Sequence, residues 1–370
     1  MKNYTAITNG RIYTGEGVLE GKALLIQGDT VVDLIDEQAL PEAAQRIDAG
    51  GLGVAPGLID LQIYGGGTRL FSEDPTPESL AHIAAALVQT GTTGFMLTLA
   101  TNTPAVFDQA IEAANAYSHP AFMGLHFEGP YLNAVKRGAH PAELIRQPDR
   151  AELSALFERA GDQVKIMTIA PETFDADCLD VLLQHNVLLS AGHSNATYEE
   201  AMTGFDRGIK AATHLFNAMS PLHHREIGLP GATFFHETAC ASIIADGIHV
   251  DYKAVSLSKQ LMGERLFLIT DAVTEAATGI YTHVRNGDHF TLPDGTLSGS
   301  ALSLMDAVAN CVKHVGIPLE EALRMASLYP ARLIGADHLG RIAPGARANL
   351  ILFDGEYRIQ QVLLDGVAQQ

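Results

Sequence analysis

Cysteine is scarce: Cys178, Cys240 and Cys311 are the only three in a chain of 370 residues. An odd number at such wide spacing excludes a disulfide framework and a four-cysteine zinc module, and it points to a reducing compartment. Basic residues are also few. Twenty-four lysines and arginines face 43 acidic residues, for a formal net charge of −19. That balance argues against a nucleic-acid surface or an anionic membrane as partner. A small anionic substrate stays open, because one arginine in a pocket outweighs a distant field. No apolar run approaches the ~18 residues of a membrane span, and the opening MKNYTAITNG lacks the apolar stretch of a secretory signal. With 47% hydrophobic and 18% charged residues, the chain can bury a large core. A globular protein of the cytoplasm is the expectation, its length suiting one barrel of ~250 residues plus a smaller module.

Both ends of the chain read as short strands. AITNGRIYTGEG and ALLIQGDTVVDLID carry the turn dipeptides Asn9-Gly10 and Gly28-Asp29. ANLILFDGEYRIQQVLLDG carries Asp354-Gly355 and Asp365-Gly366. Residues 1–54 and 338–370 are therefore expected to complete one small sheet module together, since domain termini often lie close in space. Between them, residues 55–337 alternate. Eight apolar runs, GVAPGLIDLQI, TGFMLTLA, FMGLHFEG, VKIMTIA, VLLSAGH, AATHLFNA, CASIIADGIHV and RLFLITDAV, interleave with helix-like stretches such as TPESLAHIAAALVQT and TYEEAMTGFDRG. That order is the pattern of a parallel α/β sheet covered on both faces. Eight strands favour a closed (β/α)8 barrel, and the absence of GxGxxG after the first disfavours a dinucleotide-binding sheet. After the eighth run, Asn286-Gly287 and Asp294-Gly295 mark a hairpin insertion.

Polar residues punctuate these runs, within them or at their ends: Gln62, Glu128, His193, His214, His249 and Asp271. In a barrel those ends converge on one mouth. Taken singly, each residue has a structural explanation, as a rim histidine or a helix cap. Together they would be costly to bury unless paired or bound to metal. A carboxylate with two imidazoles suits zinc or another borderline divalent ion with a position left for water, so Glu128, His193 and His214 are the candidate ligands. Asp271 is the candidate proton shuttle, and His249 could polarise a carbonyl or hold substrate. Gly65-Gly66-Gly67 gives backbone room near Gln62, and His223, His224 and Arg225 could receive a phosphate. No GxSxG elbow is present.

The segments APGLIDLQIYGGG, HFEGPYLN, SAGHSNA, THLFNAM, HHREIGL, ADGIHV, LITDA and TLSGSAL, in order from residue 55 to 302, resemble the N-acetylglucosamine-6-phosphate deacetylases of the amidohydrolase superfamily. The resemblance implies a metal-dependent barrel with a small β-sandwich from both termini, acting as a homodimer. It implies hydrolysis of N-acetyl-D-glucosamine 6-phosphate to D-glucosamine 6-phosphate and acetate. By motif, Glu128, His193 and His214 match the metal ligands, Asp271 the catalytic acid/base and His249 a substrate-binding histidine. Ala139, Asn217, Ala218, Leu297, Ser298 and Gly299 match substrate-lining positions. Arg225 matches a residue that reaches the neighbouring subunit's site. Where many amidohydrolases carry His-x-His for a second metal, this chain has Gln62-Ile63-Tyr64, so one Zn2+ per subunit is expected. The alternatives are the galacto epimer as substrate, another amidohydrolase acting on a small acyl amide, and a non-catalytic sugar-phosphate sensor.

Overall fold

A computed structural model of the chain describes residues 4–369. Eight parallel strands form one sheet in sequence order: Leu58–Ile63 (β1), Thr92–Ala100 (β2), Phe122–Glu128 (β3), Val164–Ile169 (β4), Leu188–Ala191 (β5), Ala211–Ala212 (β6), Cys240–Ile243 (β7) and Leu266–Leu268 (β8). A helix separates each strand from the next, from Pro77–Gln89 to Tyr252–Met262. β1 and β2 are buried along their whole length, as strands covered on both faces must be. Past β8 the chain returns to the first strand: Asp271 N–H donates to the Gln62 carbonyl at 3.0 Å and Tyr64 N–H to that of Ala272 at 2.9 Å. These two bonds draw the ends of the sheet together into a nearly closed barrel, the expected (β/α)8 architecture.

Local chemistry sets the helix starts. Asp149, Asp175 and Thr197 accept the N–H groups of Glu152, Cys178 and Glu200, and Glu200 reaches back to complete a capping box. The insertion after β8 is a three-stranded antiparallel sheet of Val284–Asn286, His289–Thr291 and Leu297–Ser300. Gly299 lies against the segment that follows β8. It has φ +148°, and a Cβ there would stand 2.7 Å from Val273 Cγ1.

The termini build two further sheets. One has four strands, Thr30–Asp36, Lys22–Gln27, Thr5–Thr8 and Gln45–Asp48; the other has six and joins Gly53–Pro56 to Leu350–Phe353 in antiparallel register. The apolar run 53–63 is thus divided at Gly57, its first part in the six-stranded sheet and its second in the barrel. Ile7, Leu24, Ile26 and Val31 of one sheet meet Ile12, Val54, Leu350 and Leu363 of the other in a single apolar cluster, the core of a small β-sandwich. Leu24 is fully buried there. Leu24→Ala is expected to lower stability by about 2–5 kcal/mol, read as a lower urea midpoint at unchanged m-value.

The chain packs as two compact units. Of the described residues, one comprises those up to Asp60, Ala85–Gly94 and those from Ser303 onward; the other comprises Leu61–Ala84 and Phe95–Leu302. The second unit holds every residue of the site below. Among the described residues no helix is long and apolar enough to cross a membrane.

Candidate metal centre and active site

Four side chains come from strand ends. Glu128 is the last residue of β3. The next residue has to be glycine: Gly129 has φ +87°, and a Cβ would collide with the Thr101 hydroxyl. His193 and His214 stand two residues beyond β5 and β6, and Asp271 three beyond β8. All three adopt left-handed backbone, with φ of 47°, 36° and 53°. Such conformations are unfavourable for non-glycine residues and persist where the surrounding structure enforces them, typically at functional sites.

The donor atoms converge. Glu128 Oε1 lies 3.3 Å from His193 Nε2 and 3.1 Å from His214 Nε2, and the two imidazole nitrogens are 3.0 Å apart. The carbonyl of Lys136 accepts from His193 Nδ1 at 3.0 Å, so Nε2 is the ring nitrogen turned to Glu128 and His214. Four donors at ~2.0–2.1 Å from a tetrahedral ion are ~3.3 Å from one another; the observed edges match. The donor set fits a divalent metal ion. His140 belongs to an overlapping group, since ligand atoms of Glu128, His140 and His193 lie within 4.8 Å of one another. Its Nε2, however, approaches the other Glu128 oxygen, Oε2, at 3.1 Å. His193 and His214 both present Nε2 to the same oxygen, Oε1, and that makes the trio with His214 the better cation cradle.

Around this centre runs a buried hydrogen-bond network. Gln62 Nε2 lies 3.0 Å from Glu128 Oε1, 2.9 Å from Asp271 Oδ1 and 2.9 Å from the Tyr64 hydroxyl, which itself donates to Glu128 Oε2 at 2.5 Å. Burial would push the Glu128 carboxyl up, but His193, His140 and His214 outweigh it and hold it well below the usual range. Burial raises Asp271; His214 opposes and Glu128 reinforces that shift. Burial, with Glu128 beside it, drives the Tyr64 phenol well above its ordinary value. His126 is pushed down to about 4 by burial, against the pull of Glu128. Its ring bonds the Leu61 carbonyl at 3.0 Å and the Thr168 hydroxyl at 2.8 Å, a neutral brace inside the barrel.

A cavity of about 230 Å³ opens onto these groups. Its wall includes Glu128, His193, His214 and Asp271, and also Ala139, Asn217, Ala218, His249, Leu297, Ser298 and Gly299. Gln62 reaches the site through its amide. His249 lies beyond β7 rather than at its end, held by Asp246: the carboxylate Oδ2 is 2.6 Å from His249 Nδ1, and Oδ1 accepts the N–H groups of Ile248 and His249. Lacking contact with this cavity, His224 and Arg225 stand exposed on the loop after β6.

Sequence reasoning missed His140, Tyr281 and His283, which also face the cavity. His140 sits on an irregular loop, and the only sign of it was its position next to Ala139. Tyr281 and His283 open the insertion, where Tyr281 donates to the Thr101 carbonyl at 2.7 Å and His283 Nδ1 meets the Ser298 hydroxyl at 2.9 Å. No apolar run marks either one.

Comparison with known proteins agrees with this geometry. The model of the Amidohydrolase family matches residues 54–368, and that of the NagA composite domain matches residues 4–54. The chain is 34% identical to the N-acetylglucosamine-6-phosphate deacetylase of Haemophilus influenzae, over 98% of each protein. It is likewise 34% identical to the N-acetylgalactosamine-6-phosphate deacetylase of Escherichia coli O157:H7, over 96% of this chain and 97% of that protein. The crystal structure of N-acetylglucosamine-6-phosphate deacetylase from Pasteurella multocida is similar at a TM-score of 0.95, with 35% identity and 99% of each chain covered. A barrel whose strand ends gather one carboxylate, two imidazoles and an aspartate, matched over nearly its whole length by the family model, belongs to the amidohydrolase family.

Proposed function

We propose that this protein is a metal-dependent deacetylase that hydrolyses N-acetyl-D-glucosamine 6-phosphate to D-glucosamine 6-phosphate and acetate. The observation that carries the reading is the convergence of Glu128 Oε1, His193 Nε2 and His214 Nε2 at 3.0–3.3 Å in the cavity that Asp271 also lines. The relatives named above supply the substrate class.

In this reading Glu128, His193 and His214 hold one Zn2+ per subunit, which when bound lowers the pKa of water and polarises the amide carbonyl. Asp271 does the proton work. Gln62 donates to its Oδ1, leaving Oδ2 to accept the proton of the attacking water. As the C–N bond breaks, Asp271 delivers that proton to the sugar nitrogen, so that an amine leaves instead of an amide anion. A carboxyl whose pKa is raised by burial suits both halves of this cycle. His249, its Nδ1–H directed at Asp246, presents Nε2 to the substrate. Ala139, Asn217, Ala218 and Leu297 to Gly299 line the sugar. The phosphate lies away from the reacting bond, so that its binding energy supplies orientation. Arg225, exposed and outside its own cavity, reaches the phosphate of a neighbouring subunit in a homodimer. A cytoplasmic location belongs to the same reading, and all three cysteines are free.

The galacto epimer is the second reading, because a relative of equal identity bears that name. Acetate release from the two epimers, measured side by side on the purified protein, tests both. We expect turnover with gluco preference. A galacto preference would keep the chemistry and change the sugar; no release from either by metal-loaded protein would overturn the assignment.

A further inference from the structure

Tyr64 is the residue whose place in the centre the reaction leaves unexplained. It stands just past the end of β1, where its hydroxyl lies 2.9 Å from Gln62 Nε2 and donates to Glu128 Oε2 at 2.5 Å. The same Oε2 accepts from His140 Nε2 at 3.1 Å. A carboxylate oxygen offers two lone pairs, and here both are engaged. Glu128 therefore faces the cation cradle with Oε1 alone. A second ion bridged by Glu128 would need Oε2, together with donors from the first strand; an amide nitrogen and a protonated phenol stand there. The ring is not free to leave. It packs against the apolar cluster of Leu70, Ala100, Val273, Tyr281 and Phe290, and withdrawing it would open that cluster to water.

We propose that Tyr64 is a positioning residue that limits the centre to a single cation, by holding Glu128 Oε2 in a hydrogen bond and filling the space beside it. The proposal rests on the metal-dependent reading above. His140 does not suffice for this role, since an imidazole beside Oε2 could itself ligate a second ion.

The test is metal stoichiometry and affinity on the full-length protein, saturated with Zn2+, desalted and analysed by mass spectrometry, with competition against a chromophoric chelator. Three results are expected. Wild type holds one equivalent. Tyr64→Phe, which keeps the ring and loses the hydroxyl, holds one equivalent with about 10–100-fold weaker affinity, the usual effect of removing a partner of a metal ligand. Gln62→His combined with Tyr64→His holds two. A second tight equivalent in wild type, unchanged affinity in Tyr64→Phe with its melting temperature retained, or a double variant that stays at one equivalent would each overturn the proposal. Those failures are separable from failure of the function itself. Wild type that releases acetate with one bound ion, alongside an unaffected Tyr64→Phe, sinks the role of Tyr64 alone; wild type that holds no stoichiometric metal sinks the metal-dependent reading.

Discussion

Asp271→Asn is expected to lower kcat by about 10³-fold, within the 10²–10⁴ that a positioned acid–base group contributes, while bound metal stays at the wild-type level. Asparagine preserves the shape of the side chain, and its carbonyl oxygen can still accept from Gln62. It also tolerates the left-handed backbone that position 271 adopts, φ 53°, better than most residues do. Folding should therefore be unaffected, and what disappears is the capacity to take a proton from water and return it to the leaving nitrogen. Steady-state kinetics together with metal analysis on the same sample check this. Turnover near wild type would remove Asp271 from the acid–base role, and loss of metal in parallel with activity would recast it as a ligand.

Stripping the metal with a chelator is expected to reduce activity by about three orders of magnitude or more, because Lewis-acid stabilisation is worth several kcal/mol and each ~1.4 kcal/mol is tenfold in rate. One equivalent of Zn2+ should restore it. The stripped protein should also melt at a lower temperature. Glu128, His193 and His214 are all buried, and a cation held by their three converging donor atoms ties strand ends that are far apart in the chain. Activity that survives removal of all detectable metal would contradict the assignment of the cradle. Rescue by Zn2+ of activity but not of the melting temperature would mean that the stability of the fold does not depend on the cation.

The two experiments separate roles that the geometry places side by side. Asp271 and the Glu128 trio share Gln62 as a common hydrogen-bond donor, so a disturbance on one side reaches the other. The carboxamide variant is the sharper probe of the proton path, since it alters charge without altering volume. Chelation is the sharper probe of the cradle, since it alters no residue at all.

Much of this was legible in the chain. The eight apolar runs, the turn dipeptides of the insertion and the β-rich termini are local patterns, and local patterns survive into the fold because strands and turns are set by nearest-neighbour sterics and burial periodicity. The polar residues at the ends of those runs were visible for the same reason. Glu128, His193, His214 and Asp271 interrupt apolar sequence, and a barrel has one mouth where such interruptions meet. Only the tertiary structure decided which oxygen of Glu128 faces which partner, that His140 on an irregular loop joins the cluster, that the Tyr64 hydroxyl bonds Glu128, and that the run 53–63 is shared between a sandwich sheet and a barrel strand. Those outcomes depend on approach distances between segments far apart in the chain, as in the bond from Gln62 to Asp271, 209 residues away, or the pairing of Gly53 with Phe353. No periodicity within a segment encodes the position of another; packing alone sets it.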